Sequence, residues 1–260
     1  MRENPVKVKI NAGGVSIGTM SQEFITSGLP RLSAAAGAEF NIYDMEHTSW
    51  SIETMRSVLA ANAGIDIVPI VRVPATEYHF MARMMDAGAM GIKVPMVHNA
   101  AQARRIVDAC KYPPIGKRGS GFSIAHDDYI PGDVVAKMPI ANEHGLVIVQ
   151  IESPEGVANA AEIAAVEGVD VLWIGHFDLS NFMGIPAQFD HPDFEKAVDT
   201  VIDACEKEGK TVGRVGGLPE ECAALIDRGV RIISYGVDLD LYRNALTQGI
   251  GQIRKHPKVK

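Results

Sequence analysis

The sequence is poor in cysteine and has no excess of basic residues. Its three cysteines, Cys110, Cys205 and Cys222, are odd in number, lie in helix-like segments and form no Cys-x-x-Cys pair. Reduced thiols in the core are therefore expected instead of disulfides or a structural zinc site. The formal net charge is −7 and no basic stripe is present, which argues against nucleic acid as a partner.

Long apolar runs are also missing. No stretch reaches the length needed to span a bilayer, and the N-terminal stretch MRENPVKVKI lacks the apolar core of a signal peptide. We therefore expect no membrane association and a cytoplasmic location. With 47% apolar and 22% charged residues, the 260-residue chain can bury a sizeable core and shows no compositional sign of disorder.

A short phrase recurs along the chain, in which Ala-Gly or a close equivalent precedes an apolar run. It occurs in AGAEFNIYD from residue 36, AGIDIVPIVR from 63, AGAMGIKVP from 87, EGVDVLWIG from 167 and RGVRIISYG from 228. A glycine just past a helix end can close the last turn, and the Val/Ile/Leu-rich run after it suits a parallel strand buried on both faces. VSIGTM, GLVIVQIE and KTVGRVG raise the number of candidate strands to eight.

The stretches between these strands carry a helical period. In HPDFEKAVDTVIDACEKEGK, for example, Phe194, Val198 and Val201 fall on one face. Eight strands alternating with helices predict one α/β domain over residues 1–260, a (β/α)8 TIM barrel. A doubly wound open sheet has the same alternation, but it would usually offer fewer strands and a glycine fingerprint after the first strand, where GTMSQEF has none.

The longest interval between strands contains KYPPIGKRGSGFSIAHDDYIPGD. Its excess of Gly, Pro and polar residues predicts an extended loop, and long loops in compact domains are often functional. We therefore expect this segment to lie over the mouth of the barrel.

Ionisable and amide side chains follow several strands at the point where the strand ends. These are Asp44, Glu46 and His47 after strand two, Arg72 after strand three, Gln150 and Glu152 after strand five, and Asp178 after strand six. Each also has a structural explanation as a helix cap, a surface charge or an ion pair. Because barrel chemistry sits at the carboxyl ends of the strands, their joint placement predicts a site. Glu152 and Asp178, from adjacent strands, can converge on one divalent ion, and oxygen ligands favour Mg²⁺ or Mn²⁺.

The most specific segments of the sequence are YDMEH, VRVP, GIKVPMVHNAAQARRIVDACKYPPIGKRGSG and VQIESPEGVANAAEIAAVEGVDVLWIGHFDLSNFMG. Through them the chain resembles the metal-dependent pyruvate aldolases of the HpcH/HpaI type, in the phosphoenolpyruvate/pyruvate barrel superfamily. The resemblance covers nearly the whole chain. It implies a lyase that assembles as a homo-oligomer, a hexamer or trimer of dimers, with the C-terminal helix packed on a neighbouring subunit.

The resemblance also implies roles for individual residues. Glu152 and Asp178 match the ligands of a divalent ion, Mg²⁺ or Mn²⁺ with Co²⁺ as a further option, and Gln150 matches a glutamine near it. Arg72 matches the arginine beside the reacting carbonyl, and Asp44 with His47 matches the acid/base pair. The implied partners are small molecules, a 2-oxo acid and an aldehyde.

The sequence departs from this family at three places. After strand six, where members carry Gly-Pro-Ala-Asp or Gly-Pro-Ser-Asp and backbone amides hold the pyruvate carboxylate, this chain has Gly175, His176, Phe177 and Asp178. Lys93 and Arg214 stand where small or apolar residues are usual, and each can be explained by an ion pair with the acids at the strand ends.

The expected reaction is the reversible cleavage of a 4-hydroxy-2-oxo acid to pyruvate and an aldehyde. The ion and Arg72 stabilise the pyruvate enolate, while His47, oriented by Asp44, transfers the hydroxyl proton. Two alternatives stay open at this stage. Lys93 could form a Schiff base with the carbonyl. The glycine cluster at residues 213–217 could instead bind a phosphorylated metabolite without catalysis, although such glycines also serve tight turns.

Overall fold

The computed structural model of the chain describes residues 1–259. Eight parallel strands, each paired with its neighbours in the chain, close into a barrel in the order β1 to β8. They span Ser16–Ser21, Phe40–Asp44, Val68–Arg72, Gly91–Val94, Leu146–Ile151, Val171–Ile174, Thr211–Gly216 and Val230–Val237. The predicted (β/α)8 barrel is confirmed.

Helices surround the barrel. Those in the described residues, α1 to α12, span Pro5–Asn11, Leu29–Ala35, Ile52–Ala61, Tyr78–Asp86, Ala100–Cys110, Val134–His144, Pro154–Ala158, Ala160–Ala164, His176–Phe182, Pro192–Lys207, Pro219–Asp227 and Asp238–Ile253. The three cysteines lie in α5, α10 and α11, and Cys110 and Cys205 are buried in the core. Within residues 1–259, no helix combines the length and the apolar character that a bilayer crossing requires.

The alternation of side chains along each strand divides the core into two layers. One set of residues, including Phe40, Ile42, Ile70, Ile148 and Trp173, fills the inside of the barrel. The intervening residues pack outward against the helices. Since successive side chains of a strand point to opposite faces, the residues two positions beyond Ile42, Ile70 and Ile148 also point inward. These are Asp44, Arg72 and Gln150, so the fold directs their side chains toward the carboxyl end of the interior.

Trp173 is the largest buried side chain of the interior and needs space from the neighbouring strand. Gly213, its register partner on β7, provides that space, because a Cβ at this position would collide with the Trp173 ring. Gly216 similarly packs against Cys222, where a Cβ would lie 2.6 Å from Sγ. The backbone amide of Gly217 donates to Glu221 Oε2 over 2.7 Å. Packing and capping therefore account for the glycine cluster, and the Glu221 carboxylate takes the amide that a phosphate would need.

The segment 111–133 does not lie over the mouth of the barrel, so this expectation was wrong. Together with residues that precede β3 and β4, it lines a cavity of about 360 Å³ at the amino end of the barrel, and Arg118 forms an ion pair of 2.6 Å with Asp86 at the end of α4. The reason is topological. Helix α5 begins after β4 and returns to the amino end, so the residues that follow α5 start there.

A second feature of the amino end is a fully buried lysine. Lys111 is 1% exposed, and its Nζ donates to the backbone carbonyls of Asn142 and Gly145, both over 2.5 Å. Asp170 lies 3.9 Å away. Burial lowers the pKa of Lys111 to about 8, with Asp170 opposing the shift. Lys111 thus donates to carbonyls at the end of α6; the Gly145 carbonyl also accepts from Lys7 Nζ over 2.9 Å, whereas Lys111 is the side-chain donor to the Asn142 carbonyl.

We predict that Lys111→Met lowers the free energy of unfolding by about 1–3 kcal/mol, because it leaves the buried Asn142 carbonyl without its side-chain donor. Urea unfolding of the variant and the wild type measures this difference. An unchanged midpoint would contradict the assigned role.

Candidate active site

A cavity of about 270 Å³ lies at the carboxyl end of the barrel and is called the mouth pocket here. Among the residues that line it are His47, Arg72, Lys93, Gln150, Trp173 and Asp178. The structure therefore brings together at one pocket side chains from strands two to six. This placement agrees with the rule that barrel chemistry occurs at the carboxyl ends of strands.

Arg72 is the centre of a buried charge cluster. Its Nε and Nη2 donate to the two oxygens of Asp44 over 2.7 and 2.6 Å, and its Nη1 lies 3.0 Å from Glu46 Oε2. Asp44 has no exposed surface and also accepts from Gln22 Nε2 over 2.8 Å and from the backbone amide of Glu46 over 2.9 Å. Burial raises the pKa of Asp44, but the hydrogen bonds and charge of Arg72 outweigh it, so the pKa lies below its usual value. Asp44 is therefore an ionised partner of Arg72.

The expected pair of Asp44 and His47 does not form. The Asp44 oxygens are used by Arg72, Gln22 and the Glu46 amide, whereas His47 Nε2 lies 3.8 Å from Glu46 Oε2 and the His47 side chain is 57% exposed. The physical reason is the alternation in β2, which turns Asp44 into the barrel beside Arg72, while His47 lies on the loop beyond the strand. Glu46 is the carboxylate beside His47, and sequence reasoning had given it no role of its own.

Glu152 lies at the carboxyl end of β5 and is 1% exposed. Its Oε1 accepts from the backbone amide of Met96 over 2.6 Å, and its Oε2 accepts from Gln150 Nε2. Burial is the main cause that raises the pKa of Glu152 to about 7, and the negative charges of Glu46 and Asp178 act in the same direction. The carboxylate is thus in a setting where nearby positive charge would stabilise it.

Gly175 brings the end of β6 against Glu152. A Cβ at Gly175 would lie 2.5 Å from Glu152 Oε2 and 2.7 Å from Glu152 Cβ, so only glycine fits there. The next residues begin α9, which carries the partly exposed Asp178 in its first turn. Close contact between the two strand ends therefore holds Glu152 against Gly175, which lines the pocket together with Asp178.

The donor set at this junction is compatible with a hard divalent cation. Glu152 and Asp178 provide carboxylates, and Gln150 Oε1 is buried without a hydrogen-bond partner. An oxygen-only set of this size suits an ion such as Mg²⁺ that retains several waters. Nowhere in residues 1–259 do three or more His, Cys, Asp or Glu side chains form a metal-binding group. Any ion bound at Glu152 and Asp178 would therefore complete its coordination mainly with water or substrate oxygens.

His176 and Phe177 form one wall of the mouth pocket. Burial, followed by the charges of Arg214 and Lys93, lowers the pKa of His176 to about 3, so the ring is neutral near neutral pH. Its ring packs edge to face on Phe189 with centroids 5.1 Å apart. Phe177 is 58% exposed. This wall is bulkier than the Pro-Ala or Pro-Ser pair of the resembling family and contributes an uncharged ring to the pocket.

Two further cations have different surroundings. Arg214 does not pair with the acids at the strand ends; its Nη2 lies 3.4 Å from Glu221 Oε1 on α11, and its guanidinium lies over Phe194. Lys93 points into the barrel, and its Nζ lies 4.3 Å from the centre of the Trp173 ring. Burial, followed by the charge of Arg72, lowers the pKa of Lys93 well below its usual value.

Comparison with known proteins identifies the family. The family profile described as HpcH/HpaI aldolase/citrate lyase matches residues 30–245. The chain is 35% identical over 234 residues to the hydroxypyruvate/pyruvate aldolase of Delftia acidovorans, covering 89% of this chain and 86% of that protein. It is 31% identical over 260 residues to the 2-keto-3-deoxy-L-rhamnonate aldolase of Escherichia coli K12, covering 99% and 97%.

Solved structures agree with this result. The crystal structure of an HpcH/HpaI aldolase from Desulfitobacterium hafniense has a TM-score of 0.93 and 27% identity, and the match covers 98% of both chains. The eight-stranded barrel, the pocket at its carboxyl end and these matches lead to one conclusion. The chain belongs to the HpcH/HpaI aldolase/citrate lyase family and is a lyase of the aldolase type.

Proposed function

We propose that this protein catalyses the reversible aldol cleavage of a 4-hydroxy-2-oxo acid to pyruvate and an aldehyde, with the help of a divalent metal ion. The observation that carries the proposal is the placement of Glu152 directly behind Gly175, which lines the mouth pocket with Asp178, Arg72 and the buried Lys93. Two curated relatives are named as aldolases, of hydroxypyruvate/pyruvate and of 2-keto-3-deoxy-L-rhamnonate. Both names include a 2-oxo acid.

Glu152 and Asp178 would hold the ion, with Mg²⁺ or Mn²⁺ favoured by the oxygen donors and Co²⁺ as a further option. When bound, the ion supplies Lewis-acid polarisation of the oxo group. Arg72, fixed by Asp44 and Glu46, directs a cationic group into the pocket where negative charge develops on the oxo oxygen. His47 lies at the open side of the pocket and is the residue that we assign to transfer of the hydroxyl proton.

His176 and Phe177 would restrict the space for the aldehyde portion. Their rings replace the small residues of the resembling family, and both line the mouth pocket. Gly175 allows Glu152 to keep its position, because any larger residue there would collide with the Glu152 side chain. The pocket therefore combines a charged half around Arg72 with an aromatic half around Phe177, a division suited to a polar oxo acid and a less polar aldehyde.

We also propose that the chain assembles with further copies of itself, as a hexamer or trimer of dimers, through α12. This helix of 16 residues buries none of its side chains. An apolar stripe runs along it at helical spacing, and its members are 43–65% exposed: Leu239, Tyr242, Leu246, Ile250 and Ile253. An exposed apolar stripe of this kind usually marks a surface that another protein chain covers. A single monomeric species in sedimentation velocity would contradict this proposal.

The cytoplasmic location stays a prediction.

The central test is an assay of pyruvate release. A panel of 4-hydroxy-2-oxo acids, including 2-keto-3-deoxy-L-rhamnonate and aldols of hydroxypyruvate, is incubated with the protein before and after chelation with EDTA. We expect release from at least one compound, its loss on chelation and its recovery with Mg²⁺ or Mn²⁺. Full activity after exhaustive chelation would contradict the metal role.

Metal binding itself should depend on pH through Glu152. The pKa of this carboxyl is raised to about 7 in the metal-free protein, and a divalent ion requires the carboxylate form. Metal affinity should therefore be constant above about pH 7 and fall roughly 10-fold per unit below it. Calorimetric titration with Mn²⁺ across this range measures the effect. Glu152→Gln should bind the ion weakly at every pH, and a pH-independent wild-type affinity would contradict the assignment.

Arg72→Met should destabilise the protein and reduce activity. It leaves Asp44 buried without its main cation, which costs about 3–5 kcal/mol when a buried pair is broken, and kcat/KM should fall about 100-fold or more. Arg214→Met is the matched control, because the ion-pair partner of Arg214 is a single, partly exposed carboxylate 3.4 Å away. Its effect on stability should be smaller than that of Arg72→Met, because water can solvate the partly exposed Glu221 once Arg214 is gone. Urea unfolding of both variants, with their pyruvate release, tests the contrast. Equal losses in the two variants would refute it.

His47→Ala separates proton transfer from metal binding. His47 is exposed and contacts no residue of the Glu152 and Asp178 junction, so metal affinity should stay near that of the wild type. Cleavage at saturating metal should fall by roughly 10²–10⁴-fold. Calorimetry and steady-state assays of the same preparation provide the two measurements. Weakened metal binding would place His47 among the ligands, and unchanged turnover would remove it from the reaction.

A further inference from the structure

The described chain contains two fully buried lysines with opposite surroundings. Both Lys93 and Lys111 are 1% exposed. Lys111 at the amino end donates to two backbone carbonyls and lies near Asp170. Lys93 is directed into the mouth pocket and has the face of Trp173 on one side, while no carboxylate of residues 1–259 lies within 4.0 Å of its Nζ. Burying an amine without a hydrogen-bonding anion is costly for the fold and disfavours its charged form, so the presence of Lys93 here needs an explanation.

Arg72 lines this pocket, but its hydrogen-bond donors are already engaged within the chain. Its Nε, Nη1 and Nη2 all face the carboxylates of Asp44 and Glu46. Two acids therefore engage the guanidinium, so Arg72 can act on charge that develops close to it, but its hydrogen bonds are already made within the cluster. His176 is neutral near neutral pH. Lys93 is thus the buried basic group of the mouth pocket that makes no hydrogen bond within the described chain, and an anion bound beside it would favour its ammonium form.

The register of the strands places Lys93 where a small anion would reach it. Lys93 on β4 is paired with Arg72 on β3, and both side chains point into the barrel at its carboxyl end. Trp173 lies across from Lys93, so an aromatic face and an ammonium group together form the floor of the pocket. A planar carboxylate can lie against the ring and accept hydrogen bonds from Nζ. A bulky or apolar group on the same floor would leave Nζ without a partner.

We infer that Lys93 binds the carboxylate of the oxo acid at the floor of the mouth pocket, an inference that rests on the proposed function. Lys93 is then a substrate-binding residue of this chain, and it compensates for the altered Gly175 to Asp178 turn, where the resembling family uses small residues. Bound carboxylate supplies the hydrogen-bonding anion that Lys93 lacks within the chain. The residue is retained at a cost to stability because it contributes to binding.

Lys93→Met tests the inference, with Lys111→Met as the matched control. Both variants replace a fully buried lysine with an uncharged side chain of similar length. Three quantities are measured on each purified full-length protein: the dissociation constant of oxalate at saturating Mg²⁺, the dissociation constant of Mg²⁺ alone, and the melting temperature. Oxalate serves as the probe because it is a planar carboxylate of the size of pyruvate.

The two variants should respond in opposite ways. Lys93→Met should weaken oxalate binding by about 10- to 100-fold, the range for a lost hydrogen bond to a charged group. It should bind Mg²⁺ as well as the wild type or better, because a positive charge near Glu152 is removed, and its melting temperature should be equal or higher. Lys111→Met should melt at a lower temperature and bind oxalate like the wild type.

Several results would overturn the inference. These are no oxalate binding by the wild type, an oxalate affinity of Lys93→Met within about twofold of the wild type, parallel losses of Mg²⁺ and oxalate binding, or a lower melting temperature or insolubility of Lys93→Met. Borohydride treatment of the wild type with pyruvate provides a further check, since a covalent adduct on Lys93 would show a Schiff-base nucleophile instead. Loss of oxalate binding in Lys93→Met without any aldol cleavage by the wild type would refute the proposed function and leave the carboxylate site standing.

Discussion

The guanidinium of Arg72, held between Asp44 and Glu46, is the contact on which the rest of the pocket depends. Asp44 is fully buried and could not stay ionised there without the two hydrogen bonds from Arg72. The same carboxylate accepts from the backbone amide of Glu46, which fixes the start of the loop that carries His47. One ion-pair cluster thus joins β2 to β3, orients a loop and determines which charges remain available to a ligand.

The two ends of the barrel have separate tasks. At the amino end, buried charge is satisfied within the chain, as Lys111 shows by donating to the carbonyls of Asn142 and Gly145. At the carboxyl end, groups are left incompletely satisfied: Gln150 Oε1 has no partner, and burial among acids raises the pKa of Glu152 to about 7. Buried polar groups without hydrogen-bond partners or counter-charges cost free energy of folding. They are common at functional sites, because a bound ligand can supply the missing hydrogen bond or charge.

The sequence was sufficient to predict the barrel, because the glycine before each apolar run marks where a helix ends and a strand starts. It also located the charged strand ends that line the mouth pocket, since strand direction alone places them at one end. The contact partners could not be predicted in this way. That Asp44 pairs with Arg72 instead of His47 depends on which face each side chain occupies and on the register of β2 against β3. The position of residues 111–133 depends on the direction of α5, which the composition of the loop does not encode.

Packing in three dimensions also determines two other features. It excludes a side chain at Gly175, and it leaves the apolar stripe of α12 exposed. Local sequence identifies glycine and an amphipathic helix at these places, but it does not show what each one faces. The sequence alone shows that His176 and Phe177 differ from the residues usual in the family. The neutral state of the His176 ring follows only from its burial and from the positions of Arg214 and Lys93. The electrostatic properties of the site therefore depend on strand register and packing, which bring charges from distant parts of the sequence together.

The indole of Trp173 at the floor of the mouth pocket can also serve as an intrinsic fluorescent probe of ligand binding. The chain has two tryptophans, and Trp173 is buried beside the Lys93 ammonium, whereas Trp50 is partly exposed on the outer side of the barrel. Indole emission responds to nearby charge, so a ligand that enters the pocket and approaches Lys93 should alter the intensity or wavelength of Trp173 fluorescence. A titration followed by emission, with Trp50→Phe to isolate the signal, would report occupancy in real time and without a label.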